Sequence, residues 1–109
     1  MLIDHGYYRK KKFISRKNLD LMLKDQTGDA EIEEMWQNYR YGIGCFMETM
    51  DEEGNGIVVS HLGSGGIAPW IDRSRGLVCV LSASCGYGDS FDVYRELQKL
   101  VQEAVDSAW

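Results

Sequence analysis

Residues 56–84, GIVVSHLGSGGIAPWIDRSRGLVCVLSAS, form the stretch that decides the fold. Two polar, glycine-containing segments, residues 63–66 and 72–76, divide it into three runs of β-branched and apolar residues. Glycine and aspartate are common in turns because they accept backbone conformations that other residues avoid. The stretch therefore predicts three neighbouring antiparallel strands, at about residues 57–62, 66–72 and 77–83.

The third of these strands, residues 77–83 (LVCVLSA), has hardly a polar interruption. Such a run is typical of a strand buried on both faces, or of an edge strand that needs a partner. It contains neither the Lys nor the Pro that discourages pairing with another chain. We therefore expect self-association, as a homo-oligomer formed through strand 77–83, or aggregation.

A further strand and a long helix are predicted on either side of this stretch. Residues 41–49 predict a strand, which an acidic, glycine-containing turn at residues 51–56 connects to the next one. Apolar residues at helical spacing predict a helix at about residues 90–108, with Asp89 or Ser90 as its N-cap. The apolar stripe of this helix needs a surface to cover, and the sheet is the available one.

The N-terminal third predicts one or two short helices. Ser15 is a suitable N-cap for a helix that runs to about Lys24, and residues 30–38 predict a second helix. The predicted fold class is therefore α+β, with an antiparallel sheet of three to four strands, a covering C-terminal helix and these short N-terminal helices. With 109 residues the chain is expected to form a single domain.

The charge balance limits the classes of partner. The chain has 17 acidic and 12 basic side chains, a net charge of -5, which argues against nucleic acid because phosphate contacts need an excess of Lys and Arg. Four of the basic residues are consecutive, Arg9 to Lys12, with no aromatic residue between them, so a solvated loop is predicted there. No stretch approaches the roughly 20 apolar residues of a membrane span, and none is expected.

The three cysteines, Cys45, Cys79 and Cys85, are an odd number without the spacing of metal ligands. Cys45 and Cys79 fall in predicted strands, where small buried thiols are common. We therefore predict structural cysteines, no metal site and no cofactor.

Several segments follow one another in a characteristic order. They are Tyr41-Gly-Ile-Gly-Cys-Phe, His61-Leu-Gly-Ser-Gly-Gly, Trp70-Ile-Asp, Gly76-Leu-Val-Cys-Val-Leu and the closing amphipathic helix. In this order they resemble the C-terminal part of serine β-lactamase-related hydrolases, the group of class C β-lactamases, penicillin-binding carboxypeptidases and related esterases. Residues 13–22 also resemble the helix that precedes the Tyr-Gly-x-Gly segment in that group, so the likeness covers nearly the whole chain.

The resemblance implies three active-site motifs: a serine nucleophile in Ser-x-x-Lys, a Tyr-x-Asn or similar motif, and Lys or His followed by a small residue and Gly. Only the third has a counterpart here, in His61, Leu62 and Gly63. By this resemblance the backbone N–H of Ser64 completes the oxyanion hole, and His61 lies beside the pocket, where it helps to position substrate. Leu62 lacks the hydroxyl that could bind a substrate carboxylate, which favours an ester or peptide over a penicillin.

The other two motifs are missing from the sequence. No serine begins Ser-x-x-Lys, and none of the six tyrosines begins Tyr-x-Asn. Because an oxyanion hole without an activated nucleophile has nothing to stabilise, we expect the C-terminal piece of a β-lactamase-like serine hydrolase, inactive alone. It would take a small-molecule or peptide substrate only together with the missing catalytic part. The alternative is a non-catalytic module that self-associates through its sheet edge. The family is often exported, but the sequence leaves the compartment open.

Overall fold

The computed structural model describes residues 1–31 and 39–108. These residues form a five-stranded antiparallel sheet, a two-stranded hairpin and two helices, which confirms the predicted α+β fold class. In chain order the elements are β1 (Tyr7–Tyr8), β2 (Lys11–Lys12), α1 (Arg16–Met22), β3 (Arg40–Tyr41), β4 (Phe46–Met50), β5 (Gly56–Ser60), β6 (Ile67–Asp72), β7 (Leu77–Ser82) and α2 (Tyr87–Ala108).

The main sheet has its strands in chain order, β3-β4-β5-β6-β7, and each neighbouring pair is antiparallel. Every connection is therefore a local reversal, as short turns permit. The central stretch supplies β5, β6 and β7, as predicted, and β6 and β7 pair along their whole length. Since β7 is last in the order, its outer edge meets no other strand in the described part of the chain.

Residues 41–49 form two strands and a tight turn, not the single strand that the sequence predicts. The N–H of Gly42 donates to the carbonyl of Cys45 at 2.8 Å, and Gly44 has a φ of 76°, a conformation that glycine adopts without strain. A Cβ on Gly42 would lie 2.5 Å from the carbonyl oxygen of Met22 at the end of α1. The glycines thus allow the close approach of a helix, and Cys45 lies in a turn, although it is buried.

The N-terminal helix confirms its predicted cap. The Oγ of Ser15 accepts the N–H of Asn18 at 3.2 Å, and α1 ends at Met22, two residues before the predicted end. The second predicted helix, at residues 30–38, falls mainly on residues 32–38, which lie outside the described residues.

The C-terminal helix covers one face of the sheet. It begins at Tyr87, earlier than predicted, so Asp89 and Ser90 lie inside the helix and neither is its N-cap. The Tyr94 ring meets the Trp70 ring of β6 edge-on at 5.6 Å. The buried residues of this α2-side core are Val58, Ala68, Trp70 and Tyr94. Although α2 has 22 residues, no helix among those described is apolar enough to cross a membrane.

The opposite face of the sheet is only partly covered. The buried residues of this α1-side core are Leu19, Leu23, Cys45, Met47 and Val59. Beyond this core, at the edge strand β7, the side chains of Val78 and Val80 are 65% and 62% exposed. The predicted apolar strand at residues 77–83 therefore has an edge that pairs with no other described strand and two exposed apolar side chains.

The basic run forms a short β-hairpin, where the sequence predicts a loop. β1 and β2 pair antiparallel, with Tyr7 opposite Lys12 and Tyr8 opposite Lys11. The two residues of the turn, Arg9 and Lys10, have φ values of 47° and 65°, as type I′ hairpin turns require.

Candidate functional site

The predicted site residues lie in the connection between β5 and β6. β5 ends at Ser60, so His61 and Gly63 follow the strand. The ladder to β6 nevertheless continues, because the N–H of His61 donates to Pro69 at 3.3 Å and that of Gly63 donates to Ile67 at 2.8 Å. These two hydrogen bonds fix the backbone of the motif against the start of β6.

A tight turn at residues 63–66 closes this connection. The N–H of Gly66 donates to the carbonyl of Gly63 at 3.1 Å, and the carbonyl of Gly66 accepts the N–H of Ala83 at 2.9 Å. Gly66 has a φ of +87°, and a Cβ there would lie 2.5 Å from the carbonyl oxygen of Ala83. Glycine is therefore required at this position. The hydrogen bond from Ala83, which directly follows β7, holds the turn in place.

Ser64 lies exposed in this turn. Within residues 1–31 and 39–108 its backbone N–H donates to no carbonyl and no side chain. A peptide N–H that makes no internal hydrogen bond can donate to water or to a ligand. The position that the resemblance assigns to the oxyanion hole therefore carries an available donor.

His61 lies beside two aromatic side chains. Its ring centroid is 5.6 Å from that of Phe46 and 6.3 Å from that of Tyr41, and the rings of Phe46 and Tyr41 are 4.9 Å apart. The side chain of His61 is exposed, so the imidazole can reach an external group. The sequence predicts His61 as a site residue but gives no indication of these ring contacts.

An apolar groove of about 130 Å³ runs past His61 on the α1 side of the sheet. Side chains of β5 and β6 line it, among them Val59 and Pro69, whereas Ser64 does not. The groove is smaller than the roughly 300–1,000 Å³ of drug-sized ligand pockets, so it can hold only part of a substrate. A larger groove of about 350 Å³, between α1 and the β4–β5 turn, is lined mainly by charged side chains and contains no predicted site residue.

Leu62 lies on the other side of the sheet from this groove. It packs against the α2-side core, which contains Trp70 and Tyr94. Its side chain thus attaches the motif to the core, which gives a packing reason for an apolar residue where a hydroxyl is common in the family that the sequence resembles. The structure thus separates the predicted site residues: His61 lines the groove, Leu62 packs on the core, and Gly63 and Ser64 lie in the turn.

A buried polar cluster between β4 and α2 is absent from the sequence predictions. The hydroxyl of Tyr94 donates to the carboxylate of Glu48, and Nε2 of Gln98 donates to the other carboxylate oxygen at 2.6 Å. Burial and then the neighbouring negative charge raise the pKa of Tyr94, so its hydroxyl remains a donor. The spacing of Tyr94 and Gln98 by four residues places them on one side of a helix, but nothing in the sequence indicates that Glu48 is their partner. Because its members satisfy one another, the cluster joins α2 to the sheet.

Metal binding has no support in the described ranges, since no three His, Cys, Asp or Glu side chains there are grouped closely enough to hold an ion. Cys45 is buried, while Cys79 and Cys85 are half-buried, and all three are free thiols. Burial raises the pKa of Cys45 and of Cys79, which disfavours the reactive thiolate at neutral pH.

Comparison with known proteins identifies the fold. No family model matches the chain, and no curated protein matches it. A crystal structure from Bacteroides dorei DSM 17855, described as a "putative beta-lactamase", matches with a TM-score of 0.57 and 23% sequence identity. The match covers 75% of this chain and 29% of that protein, so the chain spans less than a third of its length. The chain has a β-lactamase-like fold.

Proposed function

We propose that the chain supplies one part of the active site of a β-lactamase-like serine hydrolase, which hydrolyses a β-lactam, a peptide or an ester by acyl transfer. The part consists of the motif His61-Leu62-Gly63 and the backbone N–H of Ser64. The observation that carries the proposal is this N–H, which is unpaired among the described residues and lies in a turn beside the exposed His61. The β-lactamase-like fold supports it.

The role proposed for the Ser64 N–H follows from where negative charge develops during acyl transfer. When a nucleophile adds to a carbonyl carbon, the carbonyl oxygen becomes negative, and an N–H aimed at that oxygen stabilises the transition state. The glycines at positions 63 and 66 hold the Ser64 N–H in a fixed turn, so little reorganisation is needed at the moment of reaction. In this proposal His61 positions the substrate beside the groove, and Leu62 anchors the motif in the core.

We propose further that residues 1–109 are one domain of a larger catalytic unit and are inactive alone, because the sequence contains neither Ser-x-x-Lys nor Tyr-x-Asn. The direct test is turnover of a chromogenic β-lactam and of a p-nitrophenyl ester by the purified chain. We expect each substrate to be hydrolysed no faster than it is in buffer without the protein. Turnover that disappears when one serine of this chain is replaced would overturn the proposal.

A second experiment tests the role of Ser64. The chain is co-expressed with a β-lactamase-like enzyme from which the third-motif strand has been deleted, and restored turnover is measured. Ser64→Pro removes the N–H and should lower kcat about 100- to 1,000-fold, whereas Ser64→Ala keeps it and should change kcat little. Circular dichroism checks that both variants fold. Equal rates for the two variants, or no restored turnover with the unaltered chain, would contradict the proposal.

The open edge of β7 favours a second candidate function, a non-catalytic module that pairs with a copy of itself. The exposed Val78 and Val80 and an edge without Lys or Pro are the features that natural sheets avoid when they remain monomeric. Light scattering coupled to size-exclusion chromatography should give a dimer, and Val80→Lys should give a monomer. Val93→Lys, at a side chain of α2 that is 58% exposed, is the matched control and should leave the dimer intact. A monomer at high concentration would exclude this candidate.

A further inference from the structure

The β1–β2 hairpin carries exposed basic and aromatic side chains. Its four consecutive basic residues, Arg9–Lys12, are all exposed. Three aromatic residues around them are also exposed: Tyr7 by 44%, Tyr8 by 51% and Phe13 by 58%. Large apolar side chains in contact with one another on a surface are typical of an interaction site.

Two of the aromatic side chains, Tyr8 and Phe13, are each paired with a basic side chain. Tyr8 and Lys11 lie opposite one another, and Phe13 follows two residues after Lys11, so all three share a face. The guanidinium of Arg9 lies 5.3 Å from the centroid of the Tyr8 ring, and the ammonium of Lys11 lies 5.7 Å from that of Phe13. The two rings contact each other edge-on at 6.2 Å. The face therefore has an apolar body with positive charges at its margin.

The base of the hairpin is fixed to the body of the protein. Its carbonyl at Gly6 accepts the N–H of Phe13 at 2.9 Å, and a Cβ on Gly6 would lie 2.2 Å from the carbonyl oxygen of Ile14. Ile14 in turn packs against the α1-side core. A two-stranded hairpin is only marginally stable alone, so this attachment is what lets the exposed face keep its arrangement.

The positive charge is local to this hairpin. Without Arg9–Lys12 the chain keeps eight basic and 17 acidic side chains, so the rest of the molecule repels polyanions. We propose that the hairpin docks the protein on the surface of an anionic phospholipid bilayer. Basic side chains are attracted to the headgroup phosphates. The amphipathic ring of Tyr8 is suited to the level of the headgroups, and the apolar ring of Phe13 to the boundary between headgroups and acyl chains.

The ring contacts favour a bilayer over a single-stranded nucleic acid. Base stacking needs uncovered ring faces, whereas Arg9 and Lys11 already cover one face each of Tyr8 and Phe13, and the two rings also contact each other. At a bilayer the same pairs need not separate, because a ring and its cation can lie side by side at headgroup level. The proposal concerns a face distinct from the β5–β6 connection and does not depend on the function proposed for that site.

Co-sedimentation of the full chain with vesicles tests the proposal. Vesicles of phosphatidylcholine and phosphatidylglycerol in a two-to-one ratio should bind the chain, pure phosphatidylcholine should not, and added salt should weaken the binding. Arg9→Gln/Lys11→Gln should lower the partition coefficient roughly 25-fold, because each charge contributes about a factor of five. Lys24→Gln/Lys99→Gln makes the same change in net charge elsewhere and should stay within twofold of the unaltered chain.

Two further measurements complete the test. Phe13→Ser should weaken vesicle binding several-fold without changing its salt dependence, because it removes an apolar contact and no charge. Inorganic phosphate at the same ionic strength should not compete with the vesicles. Absence of vesicle binding, equal losses in the two double variants, or displacement from vesicles by a single-stranded oligonucleotide would each overturn the proposal.

Discussion

Two turns of the central stretch, residues 61–66 and residues 72–76, connect neighbouring strands of one sheet. They differ in whether their polar groups are hydrogen-bonded within the protein. In the second turn the carboxylate of Asp72 is fully buried and accepts hydrogen bonds from Ser74, Arg75 and Gln102, with Arg75 also bonded to Asp106 at the end of α2. In the first turn the N–H of Ser64 has no partner among the described residues.

The difference separates a turn that holds the fold together from a turn that is available to a ligand. The Asp72 cluster joins β6, the β6–β7 turn and α2, and no acceptor site of this carboxylate is left for an external group. The 61–66 turn is kept in shape by glycines, backbone bonds and the core contact of Leu62 instead. The side chains of His61 and Ser64 are exposed, and the N–H of Ser64 has no partner among the described residues. Substitutions can therefore test whether the 72–76 turn contributes mainly to stability and the 61–66 turn mainly to ligand binding.

The largest expected effect is at Asp72. Asp72→Ala removes a buried carboxylate and leaves its donors, Arg75 among them, without their acceptor, which should lower the free energy of unfolding by about 3–5 kcal/mol. Urea denaturation followed by circular dichroism measures this. Asp72→Asn retains one acceptor oxygen and should lose less. A loss below about 1 kcal/mol for Asp72→Ala would mean that the cluster does not stabilise the fold.

The next effect compares two glycines of the first turn. Gly66→Ala forces a left-handed φ on an L residue and a contact with the Ala83 carbonyl, so it should cost roughly 2 kcal/mol or more. Gly65→Ala, whose Cβ meets no atom within 4 Å, should range from no change to a gain of about 1 kcal/mol. The thermal midpoints of the two variants check this, and equal midpoints would contradict the turn geometry.

The third effect is a dependence on pH. Burial alone would raise the pKa of Asp72, but hydrogen bonds from Ser74 and Arg75 outweigh it and leave the pKa below its usual value; the pKa of Asp106 is lowered by its hydrogen bond to Arg75. A carboxyl with a lowered folded-state pKa contributes stability above its unfolded pKa of about 3.9. That stability is lost as the pH falls through the folded value.

Urea midpoints measured at falling pH test this sign. Stability should decline below about pH 4, and Arg75→Gln should make the decline shallower, because both carboxyls then titrate nearer their unfolded values. Lys99→Gln, which removes an exposed charge whose ion pair with Glu103 is long at 3.9 Å, is the control and should keep the slope of the unaltered chain. An unchanged slope in Arg75→Gln would contradict the assigned cause of the pKa shifts.

The sequence predicts the parts of the fold that local patterning specifies. β5, β6 and β7 follow from β-branched and apolar runs bounded by turn residues, and the Ser15 cap follows from residue type. The strand predicted at residues 41–49 is divided into β3 and β4, because its glycines serve a turn packed against α1, a tertiary contact that local propensity does not contain. The hairpin at Arg9–Lys12 was missed because charge composition does not report on backbone pairing.

For the candidate site, the sequence predicts which residues belong to it but not how they are arranged. The motif at residues 61–63 comes from resemblance, and the structure then adds what no pattern gives: the groove beside His61, the core contact of Leu62 and an N–H of Ser64 that has no partner among the residues the structure describes. The Glu48–Tyr94–Gln98 cluster joins residues that lie 46 and 50 positions apart. Such separations are not accessible to reasoning from spacing, which works within one helix or one hairpin.

The smallest expected effect makes the same substitution in both turns. Ser74→Ala removes a hydroxyl that donates to Asp72 at 2.6 Å and should cost about 1–2 kcal/mol, since a buried carboxylate loses one donor. Ser64→Ala removes an exposed hydroxyl and should stay within about 0.5 kcal/mol of the unaltered chain. Urea midpoints resolve the two. If Ser64→Ala costs as much as Ser74→Ala, the hydroxyl of Ser64 also stabilises the fold, and the contrast drawn between the two turns is wrong.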